Sequence, residues 1–470
     1  MESKVTAFWD WVVSSGFKPD GIELRSQSLS RIGVFATKDL PTGHPIFTVP
    51  ADFILSIENS CLAKTLKNRR DLREIMSDDV FTALSLCVIA ELVIGEKSKW
   101  FPYLSLFFPP ACTEMPLFWS TAEGELLKNT SIDPKGDLDH VTMEYNTILR
   151  PLFRKYPSSF SSSHFNPTLQ NYLLVGAFVQ AYSFASEEGI PYLLPLADAL
   201  NSRPGMSNCR IVDDDDSEEE EEEHDHSDDD HDCSGCCGGK SHDDDEPLTD
   251  HVMATSSDVS AGQELLNTYG EVSNFDLLQK YGYVDTENPF KAAEISIKLF
   301  VEYSKKHPLY HRRKKFIKAS ELFPPSEDMD LCYEKVTPNS IPLTLFALCA
   351  SLTVSDEALS EIFVNNKLLE NPDESVVNEE QLASLLNNKS VAFTSDEDDA
   401  DFIVVFLSSR APVNETVALL KVGLAETRRR LAVGLDLDSE LDLSTRAGLA
   451  NFIKKEQVLV LDELLSKLNF

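Results

Sequence analysis

The sequence predicts an α+β protein: a short-stranded N-terminal region with a helical insert, followed by a helical C-terminal domain. Three observations support this prediction. Short β-rich segments bounded by turn residues precede residue 60, helical patterns run from about 60 to 165, and another helical pattern follows Pro289. The 470 residues are enough for two or three domains, and 42% hydrophobic residues are enough for buried cores.

Apolar spacing predicts the main elements in order. The first twenty residues predict a helix with Phe8, Trp11 and Val12 on one face, ended at Gly16. Short strands are predicted at 21–24, 32–36 and 46–49. The clearest helices are predicted at 80–94, 168–184, 418–433 and 449–468.

One segment holds half of the excess negative charge. The chain has a net charge of −36, and residues 213–246 contain 19 acidic residues and one lysine. Dense like charges without apolar residues predict a disordered loop, here inserted in a hairpin between strands at 208–212 and 251–256. The remaining chain is only mildly acidic, which argues against a general nucleic-acid binder.

Several other classes of protein are disfavoured. The N-terminus shows no readable secretion signal, and the longest apolar run, 172–179, is too short to span a membrane. Nine cysteines without such a signal predict reduced thiols in an intracellular protein. No glycine-rich turn follows a strand as a Rossmann site requires. The tract 231–237 has metal-ligand spacing but no second ligand pair, so no metal site is predicted, and weak metal binding is the alternative.

Three short motifs carry the functional inference. They are Ser30–Ala36, Pro195–Ser202 and Gly262–Gly270. Each alone has an ordinary structural interpretation, since Asp198 and Asn201 could cap a turn and a tyrosine at 269 could be a core residue. Their order and spacing are more informative than any one of them.

Together the motifs resemble a SET domain of the Rubisco large-subunit methyltransferase-like branch. The resemblance spans nearly the whole chain and includes aromatic segments at 100–104 and 116–119. Residues 181–184 and 267–270 resemble the subgroup of animal protein-lysine methyltransferases and the fungal ribosomal lysine methyltransferase, and the acidic insert favours the fungal enzyme.

The resemblance implies a domain division and a set of functional residues. The SET domain, with small sheets and a pseudoknot, would occupy 1–289 with its insert at about 60–165, and an all-α substrate-binding domain would occupy 290–470. S-adenosylmethionine is the implied cofactor. The implied catalytic residue is Tyr269, the implied cofactor-binding residues are Ser30, Arg31, Ile32, Tyr182, Asn201, Ser202, Tyr269 and Tyr281, and the implied peptide contacts are Trp100, Ser183 and Ala185.

Three of these residues carry alternatives. Arg31 stands where the branch often has glycine, and its side chain either crowds the cofactor or meets the cofactor carboxylate. Ser202 replaces a family histidine that acts mainly through its backbone, so the contact is expected to persist. Trp100 is equally well interpreted as a packed aromatic of the insert.

The implied function is methylation of a lysine in a basic, ribosomal protein by a monomer without direct nucleic-acid or membrane contact. The alternatives are a SET-fold binding module that has lost catalysis, which Arg31 and Ser202 favour, and a methyltransferase of another nuclear protein. A histone methyltransferase is disfavoured because only Cys332 and Cys349 follow the tyrosine motif. The basic run 305–318 is either a solvated helix face, or a nuclear import signal or docking surface. An import signal predicts a location in the nucleus, and a location in the cytoplasm as well is the alternative.

Overall fold

The computed structural model describes residues 2–28, 31–66, 69–110, 114–186, 189–212, 249–305, 310–319, 332–364, 367–368, 377–386, 390–394 and 402–468. The predicted acidic loop at 213–246 lies outside these residues. Contacts within the chain define two units. The N-terminal unit comprises Met1–Thr113 and Val141–Gly270, and the C-terminal unit comprises Glu114–His140 and Glu271–Phe470.

The strands are short. In chain order they are β1 (Ile22–Ser28), β2 (Arg31–Ala36), β3 (Pro45–Val49), β4 (Ser183–Ala185), β5 (Pro191–Leu193), β6 (Asn201–Ser202), β7 (Cys209–Val212), β8 (His251–Thr255), β9 (Glu264–Asn267), β10 (Ala293–Ser296), β11 (Tyr333–Val336), β12 (Ser340–Pro342), β13 (Phe363–Val364), β14 (Lys367–Leu368) and β15 (Ala392–Thr394).

Helices supply most of the remaining regular structure. They are α1 (Glu2–Ser14), α2 (Ala63–Leu66), α3 (Arg70–Asp78), α4 (Val80–Ile94), α5 (Phe101–Phe107), α6 (Thr121–Gly124), α7 (Pro134–Glu144), α8 (Arg150–Lys155), α9 (Pro157–Phe160), α10 (Leu169–Tyr182), α11 (Asn274–Tyr281), α12 (Ile297–Ser304), α13 (Tyr310–Ala319), α14 (Leu343–Thr353), α15 (Asp356–Ile362), α16 (Glu379–Leu386), α17 (Phe402–Arg410), α18 (Val413–Leu431) and α19 (Arg446–Lys467).

The N-terminal unit contains three small sheets, as the short-stranded pattern predicts. Their strand orders are β1-β2-β9-β6, β3-β8-β7 and β4-β5. The predicted hairpin around the acidic segment is present, because β7 and β8 are antiparallel with Val212 opposite Val252. Strand β9 is central to the first sheet, where it runs antiparallel to β2 and parallel to β6.

Two helices form much of the N-terminal core. Phe8 and Val12 of α1 are completely buried, and Gly16 at φ +88° follows the helix end, as predicted. Helix α4 is buried on nearly every side because its residues are apolar all round. Asp79 caps its N-terminus by accepting hydrogen bonds from the backbone N–H groups of Phe81 and Thr82.

The C-terminal unit is mainly helical, and α14, α17, α18 and α19 contribute to its buried core. It also contains two-stranded sheets that the sequence pattern did not predict, with orders β10-β11, β12-β15 and β13-β14. Strands of two to four residues are too short to show an alternating pattern, which explains why they were missed.

Part of the insert belongs to the C-terminal unit. Trp119 and Leu127 pack in one buried cluster with residues of α11 and α19. Arg446 at the start of α19 pairs with Glu114 at 3.1 Å and with Glu123 at 2.8 Å, and its guanidinium lies 5.8 Å from the Trp119 ring centroid. The unit is therefore assembled from two separate stretches of sequence.

Residues 310–318 of the basic run lie in α13, and Lys305 follows the end of α12. Arg313 is buried and donates to the backbone carbonyls of Leu352 and Val354. Arg312 donates to Asp356 at 2.5 Å. These two arginines therefore make polar contacts within the C-terminal unit. Across the described residues no single helix is both long and apolar enough to cross a membrane, and no His, Cys, Asp and Glu side chains group as metal ligands.

Candidate active site

The three sequence motifs lie on or next to strands of the sheet β1-β2-β9-β6. Ile32 is in β2, and Asn201 and Ser202 form β6. Tyr269 follows the last residue of β9 by two positions. Asn201 lies opposite Leu266 of β9 in the parallel pair. The sheet thereby brings all three motifs into one region.

The side-chain amide of Asn201 connects three strands. Its Nδ2 donates to the backbone oxygen of Ile32 at 3.2 Å and to Oε1 of Glu264 at 2.7 Å. Ile32 belongs to β2 and Glu264 belongs to β9, so the amide fixes β6 against both. A carboxylate acceptor makes such a bond stronger than one between neutral groups.

Asn208 also forms side-chain hydrogen bonds to β9. Its side chain is buried, accepts a hydrogen bond from Leu266 N at 2.7 Å and donates to the backbone oxygen of Glu264 at 3.0 Å. Buried backbone groups need such partners. Asn208 therefore supports the strand that leads to Tyr269.

A buried tyrosine supports the turn that leads into β6. The hydroxyl of Tyr103 in α5 donates to Oδ2 of Asp198, which lies in a 3₁₀ turn at Ala197–Ala199. Burial raises the pKa of Asp198 well above its usual range, and it likewise raises the pKa of Tyr103, with the neighbouring carboxyl adding to the effect. Burial therefore disfavours the charged form of both groups.

Tyr182 ends α10, and two of the three predicted peptide-contact residues lie in β4, which follows it directly. Tyr182 is half-buried and packs edge-on against Phe107, with ring centroids 5.7 Å apart. Ser183 and Ala185 begin and end β4, where Ser183 is half-buried and Ala185 is exposed. Ala185 thus has the accessibility that a peptide contact requires.

The two predicted tyrosines occupy different units. Tyr269 is half-buried, and Gly270 next to it has φ +81°, a conformation that favours glycine. Tyr281 ends α11 in the C-terminal unit, where burial raises its pKa to about 12. Gly282 caps that helix in the left-handed conformation.

The remaining predicted residues have distinct placements. Ser30 lies outside the described residues, and the backbone of Arg31 begins β2 opposite Ser28. Ser202 is half-buried in β6 opposite Asn267. Trp100 is 1% exposed and its indole N–H donates to the backbone oxygen of Phe53 at 2.7 Å, which favours its interpretation as a packed aromatic.

The groups present at this sheet edge suit S-adenosylmethionine. Strand β6 is the last strand of its sheet, and its two half-buried residues carry an amide and a hydroxyl. The NH₂ group of Asn201 is engaged by Ile32 and Glu264. Its amide oxygen, the hydroxyl of Ser202 and nearby backbone atoms can bind an adenosine. The donor set is therefore compatible with the cofactor that the sequence predicts.

The fold is that of a SET-domain methyltransferase. The crystal structure of the SET domain of LSMT bound to lysine and AdoHcy matches with a TM-score of 0.60 at 16% identity, covering 100% of this chain and 91% of that one. The structure of Rubisco LSMT bound to AdoMet matches with a TM-score of 0.58 at 15% identity, covering 99% and 91%. The predicted α+β SET fold is thereby confirmed.

The curated relatives are N-lysine methyltransferases by name. The setd6 protein of Xenopus laevis is 28% identical over 313 residues, which are 62% of this chain and 60% of that protein. The human SETD6 protein is 24% identical over 273 residues, or 56% of this chain and 50% of that protein. The chain thus spans about half to three fifths of the length of these relatives. No protein-family model matches it.

Sequence reasoning missed the residues that support the site. Tyr103 lies in the aromatic segment 100–104, and Asp198 and Glu264 lie in the second and third motifs, but their spacing does not predict their hydrogen-bond partners. Asn208 was included only as part of a strand. Their partners lie up to 95 residues away in the sequence, so a local pattern could not have identified the pairs.

Proposed function

We propose that this chain is an S-adenosylmethionine-dependent protein-lysine N-methyltransferase in which Tyr269 is the catalytic residue. The observation that carries the proposal is the sheet β1-β2-β9-β6, which brings Ile32, Asn201 and the segment bearing Tyr269 together within a SET-domain fold. The names of the curated relatives support the same reaction class.

The cofactor, when bound, supplies a methyl group on a positively charged sulfur. The backbone of Ile32 and the β6 residues Asn201 and Ser202 would hold it, and Tyr182 would pack against it. The hydroxyl of Tyr269 would orient the lone pair of the incoming lysine amine. A free lysine has a pKa of about 10.4, so excluding water around the amine is needed to favour its neutral form. Orientation supplies most of the acceleration because no covalent enzyme intermediate is required.

The proposed substrate is a basic protein, more narrowly a lysine of a large-subunit ribosomal protein. Support comes from the resemblance of residues 181–184 and 267–270 to the subgroup that includes the fungal ribosomal enzyme. The 19 acidic residues of 213–246 would also suit a strongly basic partner. Arg31 and Ser202 leave a binding module without catalysis as the second candidate.

Two measurements test the proposed activity. Isothermal titration of the full chain with S-adenosylmethionine should give saturable binding, and incubation with isotopically labelled cofactor and purified large ribosomal subunits should place label on a lysine, identified by mass spectrometry. Binding without transfer to any lysine-containing substrate would favour the binding module. Absence of cofactor binding would contradict the enzymatic proposal.

The proposed location is the nucleus, and the proposed state is a monomer. The basic run 305–318 is the sequence feature behind the location, although Arg313 within it is buried. The full chain with a fluorescent tag should accumulate in the nucleus, and replacing exposed Lys314 and Lys315 with glutamine should reduce that accumulation. An unchanged distribution would leave only the helix-face interpretation.

A further inference from the structure

The hydrogen bond between Tyr103 and Asp198 joins two parts of the N-terminal unit that are 95 residues apart. Tyr103 belongs to α5, whereas Asp198 lies three residues before Asn201. The other carboxyl oxygen of Asp198, Oδ1, is buried and has no hydrogen-bond partner among the described residues. The pair therefore links α5 to the turn before β6 through a buried hydrogen bond.

The Tyr103 hydroxyl is held in place by the packing of its ring. Tyr103 is completely buried, and its ring centroid lies 5.3 Å from that of Phe107, 6.0 Å from that of Phe178 and 6.3 Å from that of Phe8. A side chain surrounded by close-packed rings has little freedom to move. The Tyr103 hydroxyl therefore has a fixed position from which it donates to Asp198.

The turn that Asp198 belongs to has an unusual backbone. Leu196 has φ +76° and ψ −41°, a conformation that non-glycine residues rarely adopt. Backbone hydrogen bonds Ala199 N to Leu196 O and Leu200 N to Ala197 O, both 3.0 Å, close the turn. Such a conformation persists only where its surroundings hold it, and the Tyr103 bond is a side-chain restraint on this turn.

The chain passes directly from this turn into β6. Asn201 is the first residue of β6, and its amide reaches Ile32 O and Glu264 Oε1. A change in the turn would move this amide, and hydrogen bonds weaken steeply when distance or angle is lost. The turn therefore controls the position of a proposed cofactor-binding residue.

We propose that Tyr103 and Asp198 are positioning residues whose hydrogen bond fixes the turn at 196–199 and thereby places Asn201 for cofactor binding. This inference rests on the proposed function. Burial raises the pKa of the Asp198 carboxyl well above the usual range, which disfavours its charged form. An uncharged acid and an asparagine amide have nearly the same shape, so Asn should replace Asp198.

The test measures S-adenosylmethionine affinity by isothermal titration, and melting temperature, for the wild type and four variants. Asp198→Ala and Tyr103→Phe should each weaken cofactor binding by about tenfold, the loss expected for one hydrogen bond. Asp198→Asn should stay within about threefold of the wild type. The double variant Tyr103→Phe with Asp198→Ala should be no weaker than Asp198→Ala alone, because both changes remove the same bond.

Tyr145→Phe is the matched control. Tyr145 is also a buried tyrosine of the N-terminal unit, and its hydroxyl donates to the backbone oxygen of Pro167 at 2.8 Å. Its variant should lower the melting temperature about as much as Tyr103→Phe, but it should leave cofactor affinity unchanged.

Three outcomes would overturn the inference. Cofactor affinity that is equal in Tyr103→Phe and the wild type would make the pair merely structural. An Asp198→Asn variant as weak as Asp198→Ala would mean that the negative charge is needed instead. Additive losses in the double variant would mean that the two residues act separately. A wild type that fails to bind the cofactor would instead overturn the proposed function, and this inference with it.

Discussion

Asn201 shows how one side chain can define a site. Its single NH₂ group spans β2 and β9, and Asn208 braces β9 from another side. Tyr269 follows that braced strand, so its position depends on both asparagines. Hydrogen bonds that converge in this way hold functional groups within the narrow tolerance that catalysis requires.

Tyr269→Phe tests the catalytic assignment. Removing the hydroxyl should lower kcat by on the order of a hundredfold, while the Kd for S-adenosylmethionine stays within a few-fold, because the hydroxyl acts mainly on the amine in the transition state. Single-turnover methyl transfer and isothermal titration measure the two quantities. A kcat close to that of the wild type would remove Tyr269 from the catalytic role.

Ser202→His tests the assignment of β6. The expected contact of residue 202 with the cofactor is through its backbone, so cofactor affinity should be retained or improved. Since the parallel register pairs Ser202 with Asn267, the larger side chain also probes the room beside that strand. Titration with the cofactor gives the answer, and complete loss of binding would show that residues 201–202 are wrongly aligned with the family motif.

At the scale of secondary-structure elements, β10 of the C-terminal unit carries a buried acid. Glu294 has its Oε2 buried without a hydrogen-bond partner among the described residues. Burial, with a smaller contribution from Asp276, raises the pKa of Glu294 to about 8. Its backbone N–H donates to Gln457 of α19 at 3.1 Å, so the acid sits where a strand and a helix meet.

Glu294→Gln should change how stability depends on pH. The folded protein retains a proton on Glu294 that the unfolded chain releases above its ordinary pKa of 4.5. The free energy of unfolding therefore falls as the pH rises from about 4.5 through 8. The neutral variant should melt several degrees above the wild type at pH 8.5 and close to it at pH 5. Glu440→Gln replaces an exposed acid and serves as the control, so its melting temperature should match that of the wild type at both pH values. If Glu294→Gln and the wild type differ by the same amount in melting temperature at both pH values, the raised pKa of Glu294 is contradicted.

Elements differ in how far the sequence could predict them. Helix α4 was predicted with its observed ends because its apolar run is long and Gly95 ends it. Strands β10 and β12 were missed because their pairing partners, rather than their own patterns, define them. The site followed from motif order, whereas the Tyr103–Asp198 bond depends on tertiary packing that no local pattern contains.

At the scale of the whole molecule, charge is unevenly distributed. Residues 213–246 contain 19 acidic residues, and in the sequence they stand between β7 and β8, strands that are paired where Val212 faces Val252. A negative segment joined to β7 and β8 would raise the local concentration of a basic substrate, an effect that salt screens over about 8–10 Å.

Deleting 213–246 and closing the hairpin with a short glycine-containing turn should show whether the segment affects substrate encounter without affecting folding. The melting temperature should stay nearly unchanged, since the β7–β8 pairing is kept. The KM for a basic protein substrate should rise by about threefold or more at low salt and approach that of the intact chain at high salt. Equal KM values at low ionic strength would mean that the segment is an insertion without a role in encounter.

The split origin of the C-terminal unit has a consequence for synthesis on the ribosome. Residues 114–140, with Trp119 and Leu127, emerge before the 130 residues of Val141–Gly270, but their packing partners in α11 and α19 emerge only afterwards. At a synthesis rate of about 5–20 residues per second, these apolar side chains stay exposed to solvent for on the order of ten seconds or more before their packing partners are made. Chains arrested at residue 270 should therefore bind a hydrophobic dye or a chaperone, and Trp119→Ser with Leu127→Ser should abolish that binding. Arrested chains that bind neither would show that the segment is sheltered earlier, within the nascent N-terminal part.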